Sequence, residues 1–134
     1  MKRPEAREQA FLLLFDKSFH PDMDLDDVIA LACEDDMVKL NSFARNLVQT
    51  VCDDLAQIDT TIEQNLQGWK TQRISRVSLS LLRLAVGELR LGGTPQGVVV
   101  NEAVELCKTY ADTQEASFIN GVLRNYLRKQ EEAE

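Results

Sequence analysis

The sequence predicts an all-α fold: a single compact domain, residues 1–134, of six or seven helices. Three observations carry that expectation. Apolar residues make up 44% of the 134 positions and are mostly aliphatic or alanine, enough to build a core and too many for a disordered chain. Six glycines and three prolines are too few for a sandwich or barrel that must reverse every ten residues or so. Apolar residues also recur at steps of three and four nearly throughout, the spacing of a helix face.

Residues 6–19 form the first helical pattern, with Ala6, Ala10, Leu13 and Leu14 as its stripe and Phe11 and Phe15 widening it. Pro4 suits a position just ahead of the first turn, where a missing N–H does no harm. His20-Pro21 ends the pattern, because the residue before proline avoids the α region. Asp24 then offers an N-cap for a second helix with Leu25, Val28, Ile29 and Ala32 inside. The third and longest pattern runs from Leu40 to Leu66, with a break predicted within residues 53–59, where Asp53, Asp54 and Asp59 are suitable caps. Gly68 closes it.

From Trp69 to Arg90, Leu79, Leu82, Val86 and Leu89 form a stripe flanked by Leu81, Leu84 and Ala85. A helix apolar over so much of its circumference belongs at the centre. Gly92-Gly93 suits a left-handed stop, and Thr94-Pro95 reads as a cap followed by proline at the first helical position. The next helix buries Val99, Ala103, Leu106, Cys107 and Tyr110. Asp112 with Glu115 three residues on resembles a capping box for a last helix on Ala116, Ile119, Leu123 and Leu127, leaving 129–134 as a frayed polar tail.

Composition narrows the function. No apolar run reaches the roughly 18 residues a bilayer span needs, and the N-terminus leads straight into a charged helical pattern rather than a signal core. Three cysteines far apart in sequence fit a reducing, cytoplasmic setting with thiols used as small hydrophobes. Catalysis finds little support: His20 is the only histidine, and no His-x3-His or Cys-x2-Cys spacing marks a metal site. Asp22, Asp24 and Asp26 imitate a calcium loop but lack its glycine and closing glutamate, with Asp27 and Cys33 in those places. Gly92-Gly93 has no following Gly-Lys-Ser/Thr to cradle a phosphate. No enzyme activity, cofactor or metal is expected.

What remains are surfaces. Net charge is −7, but residues 1–68 hold fourteen acids against six Lys/Arg, while 69–134 hold eight against nine. A polyanion must therefore meet a local basic patch and avoid the acidic segment 22–36. Lys2, Arg3 and Arg7 form one such cluster, read either as phosphate contacts or as a solvated first turn. Arg76, Arg83 and Arg90 step by seven along one face, able to meet an acidic partner or to pair with acids on neighbouring helices. Trp69 is either an interface anchor or a core residue closing the bundle. Mid-helix Asn120-Gly121 needs a reason: close packing is favoured for Gly121, while packing and ligand contact stay open for Asn120.

Several segments together resemble a known family. They are Trp69-Lys70-Thr71-Gln72-Arg73, Leu82 to Leu89, Val100-Asn101-Glu102-Ala103-Val104-Glu105-Leu106-Cys107-Lys108, and Phe118-Ile119-Asn120-Gly121-Val122-Leu123, preceded by Ala6-Arg7-Glu8. In order, spacing and total length they are similar to the bacterial transcription antitermination factors of the NusB family, over roughly residues 3–128. The resemblance implies two small antiparallel helical sub-bundles. It also implies a non-catalytic RNA-binding role in transcription regulation: boxA-type single-stranded RNA is held together with the ribosomal protein NusE, within the RNA polymerase antitermination complex of ribosomal RNA operons. Carried onto this chain, RNA contacts fall on Lys2, Arg3 and Arg7 and on Thr113, Gln114, Ser117 and Phe118. The NusE-facing surface falls on Trp69, Arg73, Arg76 and Ser78. Family members commonly have an almost unbroken basic arm, which Pro4 and Glu5 interrupt here, so RNA affinity is expected to depend heavily on the partner. Two alternatives stand beside this reading: a protein-only scaffold, and an appendage of the kind found in RNA cytosine methyltransferases. Monomer and homodimer both remain open.

Overall fold

A computed structural model describes residues 2–33, 40–66 and 73–133. Its helices are α1 (Arg3–Ser18), α2 (Leu25–Ala32), α3 (Ser42–Asp53), α4 (Leu55–Gln64), α5 (Arg76–Leu91), α6 (Gln96–Tyr110) and α7 (Thr113–Ala133). Among the described residues there is no strand, and no helix is long and apolar enough to cross a membrane.

α5 sits at the centre, as its nearly all-round apolar surface predicted. It packs on α1, α3, α4, α6 and α7, so both the N-terminal and the C-terminal helices share it. Leu81 and Leu82 are fully buried there, together with Leu47, Val48 and Val51 of α3, Ile58 and Ile62 of α4, and Ile119 and Leu123 of α7. One continuous core cluster joins them. Gly87 of α5 is what lets α3 approach: a Cβ at that position would lie 2.5 Å from Val51 Cγ2.

Caps explain most boundaries. Asn41 Oδ1 accepts from the amides of Phe43 and Ala44, starting α3. Asp54 separates α3 from α4, within the interval expected for the break. Ser75 Oγ accepts from Ser78 N at the start of α5. Gly92 and Gly93 take φ of 77° and 88°, the left-handed region that stops a helix and favours glycine. The C-terminal end of α4 is tied to α7 by polar bonds that periodicity does not reveal. Asn125 Nδ2 donates to Asn65 Oδ1 at 3.0 Å, and Lys129 Nζ donates to the Gln64 carbonyl at 2.8 Å.

Several expectations are corrected. α1 begins at Arg3, so Pro4 lies within its first turn, where its missing N–H is still harmless. α2 is preceded by Asp24, but through no side-chain cap bond. Pro95, not Thr94, precedes α6. Residues 129–133, expected as a polar tail, are exposed and lie within the bounds of α7. Gly121 is not a close-packing site: its surroundings hold nothing within 4 Å of an added Cβ. Tyr110 is exposed rather than buried, since its hydroxyl reaches out to donate to Glu8 Oε2 at 2.8 Å while its ring stays 4.9 Å from that of Phe11.

Candidate nucleic-acid and partner interface

The three cations proposed for the arm separate in the fold. Lys2 precedes α1 and is exposed, and Arg3 in its first turn is exposed as well. Arg7, one turn further on, faces inward: its side chain is 6% exposed and that of Glu88, on α5, is 3%. Nε donates to Oε1 at 2.9 Å and to Oε2 at 3.1 Å, and Nη2 donates to Oε2 at 2.8 Å. This fork-to-carboxylate geometry is the strong form of an ion pair. The Glu88 hydrogen bond raises the Arg7 pKa against the opposing effect of burial. Arg7 is thus removed from the exposed cluster, because α1 turns that position toward α5. This partner lies 81 positions away, too far for sequence spacing to reveal it.

Phe43 of α3 was likewise missed. The guanidinium carbon of Arg3 lies 3.9 Å from the centroid of its ring, and that of Arg7 lies 5.8 Å away.

The starts of α5 and α7 frame an open cavity of about 470 Å³ lined by Arg73, Ile74, Ser75, Ser78, Gln114, Glu115 and Phe118. Asp112 Oδ1 accepts from Glu115 N at 2.8 Å, the forward half of a capping box. Glu115 does not reach back. Its Oε1 instead accepts from Ser75 Oγ and, at 2.8 Å, from Ser78 Oγ, joining α7 to α5. Residues assigned separately to RNA and to a protein partner therefore line one concavity. Gln114 and the neighbouring Thr113 and Ser117 are exposed, as is Arg73. Ser78 is fully buried and lines the pocket wall instead of standing on an outer face, its hydroxyl drawn in by Glu115. The position of Trp69 lies outside the described residues.

The arginine row resolves into three different contacts. Arg83 forms a bidentate pair with Asp59, at 2.8 and 2.9 Å. Arg90 donates to Thr61 Oγ1. Arg76, exposed, lies 4.5 Å over the ring of exposed Phe19 and donates to the Ser18 carbonyl. Arg83 and Arg90 thus act within the fold.

The electrostatics between the two proposed RNA regions are unfavourable to a polyanion. The Tyr110–Glu8 bond brings the turn leading into α7 against α1. Beside it, a groove between α1 and α6 is lined by Glu5, Glu8, Glu102 and Glu105. Exposed cations lie at Lys2 and Arg3, ahead of this acidic groove in α1. No group of three or more His, Cys, Asp or Glu side chains able to hold a metal occurs among the described residues.

Comparison with known proteins gives a consistent picture. The family model described as the NusB family matches residues 4–128. The transcription antitermination protein NusB of Listeria monocytogenes (strain HCC23) is 43% identical over 126 residues, covering 93% of this chain and 95% of its own. A solved complex of the antitermination factors NusB and NusE with double-stranded RNA contains a chain 30% identical to this one. Its TM-score is 0.84, and the match covers 95% of this chain and 96% of that one. T. maritima NusB is 29% identical with a TM-score of 0.86, covering 96% and 92% respectively.

Proposed function

The chain belongs to the NusB family, and from that premise we propose that it is a cytoplasmic, non-catalytic adaptor that binds boxA-type single-stranded RNA together with the ribosomal protein NusE and joins the RNA polymerase antitermination complex. The observation that carries the reading is the pair of exposed cations, Lys2 and Arg3, at the start of α1. Together with the family's antitermination role, these supply phosphate contacts where the rest of the chain is acidic. Base contacts are assigned to Thr113, Gln114, Ser117 and Phe118 around the start of α7, single-stranded RNA being read by stacking and by its exposed base edges. Arg73, Arg76 and Ser78 are assigned to the protein partner, Ser78 through the pocket it lines, and Trp69 joins them on sequence grounds. Arg7 acts by orienting α1, not by touching RNA.

The family solved in complex with RNA and NusE favours this adaptor over a protein-only scaffold. The discriminating experiment is charge reversal at Arg3 alone. Arg3→Glu should lower crosslinking of the chain to boxA-type RNA in the presence of NusE without changing its thermal midpoint. Undiminished crosslinking would favour the scaffold. Arg7 is unsuited to this test, because replacing it disturbs the core.

A further inference from the structure

Two arginines one helical turn apart on α1 are held in opposite ways. Arg7 commits its Nε and Nη2 donors to the buried Glu88 carboxylate. Arg3 is exposed, and its guanidinium carbon stands 3.9 Å from the centroid of the Phe43 ring. Among the described residues no ion pair claims it. A guanidinium over an aromatic ring is held through its π face, which leaves its in-plane N–H fork available to a carboxylate or phosphate.

Phe43 is itself firmly placed. It lies in the first turn of α3, where Asn41 Oδ1 accepts from its amide at 2.9 Å. Gln9 Oε1 accepts from Asn41 N at 2.8 Å, fastening that helix start to α1. The ring packs partly buried against the core. A fixed platform on α3 therefore lies against the one arm arginine that is exposed.

We infer that Phe43 is a positioning residue for RNA binding, whose ring holds the Arg3 guanidinium over α3 so that its N–H fork meets a phosphate already oriented. The inference rests on the proposed role of Arg3 in RNA contact. Phe43 need not touch RNA. Its contribution is to reduce the number of orientations a long, flexible side chain must give up when the phosphate arrives.

The test uses the full chain with NusE and a labelled boxA-type RNA oligonucleotide. An exposed cation–π contact corresponds to about a two- to fivefold change in affinity, so Phe43→Leu should weaken RNA binding by about that factor. Incorporating mono-, di- and trifluorophenylalanine at position 43 keeps the ring's shape while draining its face of negative charge. Affinity should then fall stepwise with fluorination, a response that a purely structural ring would not give. In an Arg3→Ala background both effects should vanish. If Arg3→Ala weakens binding but the fluorinated series is flat, the positioning role fails while the RNA reading stands. If Arg3→Ala leaves affinity unchanged, the assignment of the arm falls and the inference falls with it.

Discussion

Removing the Glu88 carboxylate should cost this fold more than any surface charge change. In Glu88→Ala the Arg7 guanidinium loses three hydrogen bonds of 2.8–3.1 Å while its side chain stays 6% exposed. Breaking a buried pair on one side typically costs about 3–5 kcal/mol. For a domain of this size each kcal/mol shifts the midpoint by about 3–4 °C, so thermal unfolding should begin roughly 10–20 °C lower. The double variant Arg7→Met/Glu88→Leu should recover most of the loss, since an apolar pair of similar volume leaves no stranded charge. Circular dichroism melts of the parent chain, Arg7→Met, Glu88→Leu and the double variant form a complete cycle, with Glu88→Ala read beside it. A Glu88→Ala loss below about 1 kcal/mol, the value of an exposed pair, would refute the assignment of Arg7 to the interior. So would a double variant no more stable than the singles.

Other expectations can be checked separately. Gly87→Ala should destabilise by about 1–3 kcal/mol through overpacking, because its Cβ would meet stiff, β-branched Val51 at 2.5 Å. Gly121→Ala, with nothing within 4 Å, should stabilise by about 0.5–1 kcal/mol; denaturant midpoints of the two variants should move in opposite directions. Burial pushes the Cys107 thiol pKa up and the residue is fully buried, so alkylation followed by mass spectrometry should leave it unmodified in the native chain and modify it after unfolding. The Tyr110 pKa is raised chiefly by its hydrogen bond to Glu8. The protonated phenol is thus favoured by folding, and its contribution is fully present below the ordinary tyrosine value of about 10 and lost as pH rises through the raised one. Tyr110→Phe should therefore flatten the alkaline limb of a stability-against-pH curve.

Helices, their order and the central place of α5 were legible because apolar periodicity is a local signal. So were the break at Asp54 and the stop at Gly92-Gly93, where side-chain or backbone chemistry at one position decides the outcome. The misses share another cause. Arg7 reads as a surface cation until α5 supplies Glu88, and Phe43 reads as an ordinary core aromatic until α1 lays Arg3 across it. Glu115 has the spacing to complete its own cap, yet it accepts instead from Ser75, which caps α5, and from Ser78 within it. Each is decided by a partner tens of positions away, which neither spacing nor propensity encodes. The same limit explains Gly87 and Gly121: both are mid-helix glycines, and only the approach of Val51 tells which one packing requires.

The salt dependence of RNA binding most directly tests the claim that this acidic chain grips a transcript through few cations of its own. Titrating boxA-type RNA with the chain alone, then with NusE, across a series of salt concentrations gives both affinity and slope. Two phosphate contacts, from Lys2 and Arg3, predict a slope of log affinity against log salt of about −1.4 for a single strand, weak binding alone, and a large gain with NusE. Tight binding by the isolated chain with a slope several times steeper would contradict the account.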